Sequence, residues 1–284
     1  MALRPVDRLL AGYLGFVTVV IAIRGPLSHP AYPWLLAMHG LFGIFLYLTT
    51  RLRDSDRVGR ALHDLYPLVM LLPLYTEIGL LNPPVGDPGV LGHDAVIQQI
   101  EALVFGGQIS YTWIRTAPSV FWSGLLHLAY FSYYPIVLFG PLLVWMRGNR
   151  AGARTILLST MVAFTICYGW FVLYPVAGPN YAFPHPVGPV REVWSAQLVY
   201  RLLISGSSFG AAFPSSHVAA TTAATLAVHD AWRGLGRSFL IPAALLTVAT
   251  VYCQMHYGID AAAGLVTGVL AWVVARRIVR STPA

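Results

Sequence analysis

Apolar runs about twenty residues long recur along this chain, and that length matches what a helix needs to cross a bilayer. A helix also pairs its own backbone polar groups, as a lipid environment demands. Eight spans are read at 9–23, 33–49, 65–81, 121–146, 154–175, 214–231, 238–254 and 256–278. The first is short and the third carries Pro67 and Pro73, which predict a kink, so a re-entrant or interfacial placement is the alternative for these two. Of the 284 residues, 57% are hydrophobic and 10% charged, against roughly 25% charged in soluble domains. The expected fold is all-α: a polytopic membrane helical bundle of about eight transmembrane helices.

The basic residues test that span count, because cytoplasmic loops retain positive charge. Every one is arginine. With eight spans and the N-terminus inside, Arg4, Arg8, Arg51, Arg53, Arg57, Arg60, Arg147, Arg150, Arg154, Arg233, Arg237, Arg276, Arg277 and Arg280 share one side. Arg24, Arg115, Arg191 and Arg201 fall on the other. Omitting one helix would invert everything beyond it, so both termini are expected in the cytoplasm and the long loops 82–120 and 176–213 outside it. In a bacterium these loops would face the periplasm across the inner membrane; in a eukaryote, the lumen.

The net charge of +7 then reflects membrane orientation and contacts with anionic headgroups. No basic, aromatic-interleaved surface points to nucleic acid. Cys167 and Cys253 lie within spans, lack the spacing of a disulfide framework or zinc site, and are read as packing residues. No small-residue cleavage site follows the first helix, which is expected to remain as an anchor. The stretch Asp94–Phe105 has helical apolar spacing and a polar opposite face but is too short to span. It reads as an interfacial helix, with a buried core helix as the alternative.

The second long loop ends in Phe213-Pro214-Ser215-Ser216-His217. Proline suits a helix start, where its missing N–H is not needed. Ser215, Ser216 and His217 then fall in the first turn, where unpaired N–H groups and the dipole favour an anion such as phosphate. The same tetrapeptide also serves as a plain helix start. Further on, His256-Tyr257-Gly258-Ile259-Asp260 places Asp260 one helical turn from His256. The carboxylate would fix one imidazole nitrogen and leave the other as a base or nucleophile; a polar contact between helices is the bland reading. Both histidines begin spans that start on the same membrane face, and ionisable groups inside a bundle tend to be functional.

PSSH followed, 39 residues after its histidine, by HYGID resembles the second and third motifs of the type-2 phosphatidic acid phosphatase superfamily. The wider run EALVFGGQIS, YFSYYP and LYPVAGPNY is similar to the aureobasidin-resistance branch, which includes inositol phosphorylceramide synthases. The resemblance covers about 95–280. It implies a six-helix phosphatase-like core, with 1–94 as N-terminal membrane helices and 95–284 as the catalytic membrane domain of one folded unit. It makes His256 the nucleophile, Asp260 its orienting partner, and His217 the acid that protonates the departing alkoxide. A phosphohistidine intermediate follows. No cofactor is implied, and no cluster has metal-ligand spacing.

The departures bear on substrate. The superfamily's first motif carries a lysine and an Arg-Pro pair, whereas this chain reads Gly178-Pro179-Asn180 there; its third carries an arginine where Thr250 stands. Arg191 and Arg201 are the candidate replacement phosphate ligands, beside Ser215 and Ser216, while simple orientation or headgroup contact is the alternative for each. A monoester carries nearly two negative charges near neutral pH and a diester one, so fewer cations favour a diester. The expectation is a phosphotransferase moving an inositol-phosphate type headgroup from a phospholipid to an alcohol, with membrane lipids as substrate and acceptor. A lipid phosphate phosphatase is the alternative, and a non-catalytic transporter or lipid-binding protein a third reading. Asn180, Tyr181 and His185 are candidate pocket residues. Tyr130, Phe131, Tyr133 and Tyr134 read as an interfacial or packing stripe. Headgroup, acceptor and oligomeric state are not legible.

Overall fold

The computed structural model describes residues 3–25, 27–52, 56–82 and 92–281, without the side chains of 203–205. Arg53 and the 83–91 part of the first long loop lie outside the described residues. The helices run in the order α1 (Pro5–Arg24), α2 (Tyr32–Thr50), α3 (Arg57–Leu81), α4 (Gly92–Phe105), α5 (Ile109–Thr116), α6 (Val120–Tyr130) and α7 (Tyr133–Met146). Then come α8 (Arg150–Leu173), α9 (Pro179–Ala182), α10 (Pro189–Glu192), α11 (Trp194–Gly206), α12 (Ser216–Ala231), α13 (Arg233–Tyr252) and α14 (Gly258–Ser281).

Among the described residues, seven segments are long and apolar enough to cross a membrane: α1, α2, α3, α6 with α7 (Val120–Met146), α8, α13 and α14. The chain is therefore a polytopic helical membrane bundle. The expected span 121–146 breaks at Phe131–Ser132 into two helices. The expected span 214–231 is α12, only 16 residues long, or about 24 Å at 1.5 Å per residue. It sits at the centre, packed against α7, α8, α13 and α14. α3 runs on through Pro67 and Pro73.

Two polar clusters fix the helices along the bundle axis. At one end Asp64 of α3 is fully buried and pairs with Arg150 and Arg154 of α8, each at 2.6 Å, and accepts from the Trp145 indole at 2.9 Å. At the other, the Arg24 guanidinium ending α1 donates to the carbonyls of Leu81 and Val172, both at 2.8 Å. Three helix ends meet there, so α1, α3 and α8 run in the same direction, as first, third and fifth spans should.

α12 and α14 approach along a seam of small residues. A Cβ on Gly264 would lie 2.7 Å from the Ser215 carbonyl, and one on Gly268 would lie 2.6 Å from that of Ala219. The four-residue spacing of these glycines is the usual device for close helix contact in membranes.

α4 is amphipathic, as expected, but its charged side faces the protein. Asp94, Ile97 and Glu101 are buried, while Val96, Ile100, Leu103, Val104 and Phe105 are exposed. A helix lying against lipid turns its apolar side outward and must satisfy its charges within the protein.

Candidate active site

Ser215 is the N-cap of α12, its Oγ accepting from the Val218 amide at 3.4 Å. Pro214 therefore precedes the cap instead of opening the first turn. The Ser215 amide donates to the Asp260 carbonyl at 3.0 Å, tying the start of α12 to the start of α14. His217 projects from the first turn between Tyr130 and Tyr133, with ring centroids at 5.0 and 4.7 Å. Its Nε2 is 3.1 Å from the Tyr130 hydroxyl, and its buried Nδ1 has no hydrogen-bond partner among the described residues.

His256 stands in the corner between α13 and α14. Because α14 begins at Gly258, the histidine precedes the helix that was expected to carry it. The Thr250 carbonyl makes the corner, accepting from the amides of Met255 at 3.0 Å and His256 at 2.8 Å, and Gln254 adopts φ 60°. That left-handed conformation is uncommon outside glycine. Thr250 thus shapes the turn through its backbone.

His256 Nδ1 lies 3.0 Å from the Ala212 carbonyl oxygen and 3.6 Å from Asp260 Oδ2. A carbonyl only accepts, so Nδ1 carries the proton and Nε2 keeps its lone pair. Asp260 was expected to make that bond; its carboxylate instead accepts from the Tyr257 amide at 2.8 Å and stands at ion-pair distance from the ring. The chain turns before α14, so the one-turn geometry of a continuous helix does not apply. Burial pushes the His256 pKa down to about 4, with the Ala212 bond opposing the shift. The His217 and His256 rings are 5.8 Å apart.

α4 holds the corner from behind. The Asp94 carboxylate accepts from the amides of Ala177 at 2.7 Å and Gly178 at 2.9 Å, and from the Tyr257 hydroxyl at 2.9 Å. Gln98 donates to that hydroxyl at 2.9 Å. Glu101 accepts from the Ile259 amide at 3.1 Å, placing negative charge at the N-terminus of α14, where the dipole favours it. Gly178 has φ +92°, and a Cβ there would lie 2.8 Å from that of Ala212. The glycine lets the loop press against the residue whose carbonyl orients His256.

The remaining expected residues are spread more widely. Ser216 is buried and lines the same cavity as His217. The Arg191 guanidinium lies 4.4 Å over the Tyr200 ring, while Arg201 is exposed on α11. Tyr181 shares a 2.6 Å hydrogen bond with Ser207, and Asn180 is half-buried in α9. His185 packs against Tyr200, and burial, then Arg191 and Arg115, lower its pKa.

Arg115 and Gln254 were missed as site residues. Arg115 donates to Gln254 Oε1 at 2.8 Å, and Gln254 donates to the carbonyls of Pro179 and Pro184, both at 3.1 Å. Together they lash the loop to the residues just before His256. The expected aromatic stripe is also corrected: Tyr130, Phe131, Tyr133 and Tyr134 line a cavity of about 370 Å³ that includes His217 in its wall.

The PAP2 superfamily model matches residues 97–274, more than half of the chain, from α4 through most of α14. No curated protein and no solved structure matched. Two histidines, brought together on adjoining helix starts by a glycine seam and lying within the matched segment, agree with that result: the chain belongs to the PAP2 superfamily, whose membership indicates phosphatase or phosphotransferase chemistry on lipid phosphates.

Proposed function

We propose that this protein is a metal-independent lipid phosphotransferase, moving an inositol-phosphate type headgroup from a phospholipid to an alcohol acceptor. The observation that carries the reading is the tautomer of His256. With its Nδ1 proton donated to the Ala212 carbonyl as a hydrogen bond, Nε2 is left as the nucleophile, 5.8 Å ring to ring from a second histidine whose Nδ1 has no partner among the described residues.

In the proposed reaction His256 Nε2 attacks phosphorus and the bond from phosphorus to the lipid alkoxide breaks. His217, protonated when the anionic phosphate binds beside it, gives its Nδ1 proton to that oxygen and keeps its Nε2 proton, hydrogen-bonded to the Tyr130 hydroxyl. The headgroup phosphate now sits on His256 as a phosphohistidine, whose positive ring is stabilised by the Asp260 carboxylate at 3.6 Å. An acceptor alcohol then loses its proton to His217 and attacks phosphorus, releasing His256. The N–H groups at the start of α12 and the Ser216 hydroxyl would face the phosphoryl oxygens.

The diester preference rests on the cations this chain lacks, with Gly178-Pro179-Asn180 and Thr250 at the family's basic positions. Hydrolysis of a lipid phosphate is the second reading, favoured by the superfamily as a whole; water then replaces the alcohol. The active face is proposed to be extracytoplasmic and both termini cytoplasmic, from the arginine distribution. The test is lipid mass spectrometry on purified wild type beside His256→Ala and His217→Ala, with phosphatidylinositol plus an alcohol acceptor in one reaction and phosphatidic acid in another. Acceptor-dependent headgroup transfer, lost in both folded variants, is expected. Phosphate release from phosphatidic acid alone would make the protein a phosphatase, and turnover unchanged in the variants would remove the histidines from the mechanism.

A further inference from the structure

The cavity beside His217 is walled on one side by α3, which lies wholly before the segment matched by the superfamily. Leu68, Leu71, Leu72 and Tyr75 of that helix line it together with Tyr130, Tyr133 and Phe164. Apart from His217, Ser207, Ser216 and the tyrosine hydroxyls, the described lining is aliphatic or aromatic, with Gly206 at one edge. Such a lining rejects a hydrated headgroup and welcomes hydrocarbon.

The mouth opens sideways. Leu72, Tyr134, Leu138 and Leu202 line the cavity yet are themselves exposed. Leu72 and Leu138 fall near the middle of α3 and α7, well inside spanning segments, so the opening faces the bilayer interior. A volume of about 370 Å³ is at the small end for ligand pockets. At about 30 Å³ per water-sized group that is on the order of a dozen methylenes, the scale of a single hydrocarbon chain.

We propose that this cavity seats one hydrocarbon chain of the lipid whose phosphate reacts at the histidines, and that α3 determines which chains fit, with Leu68 and Leu71 as the specificity-determining residues. The inference rests on the reading of the histidine pair as a lipid-phosphate site. It adds that the N-terminal helices, outside the superfamily segment, select the substrate's tail.

Two measurements on the full-length protein in bilayer nanodiscs test this. In the first, wild type, Leu71→Trp and Val69→Trp are given phospholipids with one headgroup and short, medium or long chains; Val69 is exposed and does not line the cavity. Leu71→Trp is expected to lower kcat/KM for long chains by about tenfold relative to short ones, with Val69→Trp matching wild type. In the second, a phospholipid with a photoreactive group in mid-chain is crosslinked and the adducts mapped, a readout that needs no turnover. Labelling within Leu68–Tyr75 is expected, and is expected to fall in Leu71→Trp. Equal loss for all chain lengths, or labelling indifferent to Leu71→Trp, would dismiss the slot while leaving the catalytic reading intact. Labelling at α3 with no chain length turned over by wild type would show that the bound chain is not a substrate's, overturning the proposal together with the catalytic reading.

Discussion

His256 Nδ1 donates to the backbone carbonyl of Ala212 at 3.0 Å, closer than to the Asp260 carboxylate at 3.6 Å. A backbone acceptor cannot be protonated at any working pH, so it fixes the tautomer without itself titrating. In the proposed reaction the carboxylate is left to respond to the positive charge that appears only when Nε2 forms its bond.

The first prediction concerns pH. Burial lowers the His256 pKa to about 4, so the neutral, nucleophilic ring is present above that pH and lost below it. The acid limb of kcat/KM should fall below about pH 5. A midpoint near the ordinary histidine value, about 6.5, would mean that the free enzyme does not hold His256 in the surroundings described.

Tyr130 accounts for the second. Tyr130→Phe removes the hydroxyl 3.1 Å from His217 Nε2 and leaves the ring packing in place. Loss of one such bond, about 1 to 1.5 kcal/mol, should lower kcat roughly tenfold with folding unchanged. Activity equal to wild type in a folded variant would exclude Tyr130 as the group that holds His217.

A third addresses the α12–α14 seam. Gly264→Leu forces a side chain against the Ser215 carbonyl, where even a Cβ would come within 2.7 Å. Overpacking of this kind costs about 1 to 3 kcal/mol, and here it also separates the helix starts that carry the two histidines. Thermal stability and specific activity should both fall, activity more steeply. Wild-type activity per folded molecule would show that the seam does not set the histidine spacing.

Asp94 supplies the fourth. Asp94→Ala leaves the Ala177 and Gly178 amides and the Tyr257 hydroxyl without their acceptor. Each lost charged bond costs about 1.5 to 3 kcal/mol. A large drop in Tm is expected, and Asp94→Asn, which keeps the shape but not the charge, should fold and lose part of kcat with little change in KM. A KM effect alone would assign Asp94 to substrate binding.

The two histidine motifs were legible because linear sequence carries them, and their common membrane face followed from counting spans. α4 was read with the right period, but the period left open which way its polar side points. Asp94, Gln98 and Glu101 recur at helical spacing, but an interfacial helix is ordinarily pictured with charges toward water; here Asp94 and Glu101 are buried in the protein and the apolar residues are exposed. The Ala212 carbonyl could not have been found, since a backbone group has no letter of its own. Tyr130 and Tyr133 looked like packing because the cavity they line exists only when α3 and α11 are brought alongside α7 and α8. Gly264 and Gly268 did carry a readable signal in their spacing, one that the motif residues overshadowed.

The Arg24 guanidinium, shared between the last carbonyls of α3 and α8, makes α1 a bolt through the bundle. Helices in lipid are free to slide along the membrane normal wherever only apolar faces touch, because one methylene is as good a neighbour as the next. A slide of a single residue would withdraw one cation from two acceptors at once and strand all three where water is scarce. The depth of the N-terminal helices is thereby coupled to the depth of α8, and through α8 to the level of His217 along the bundle axis.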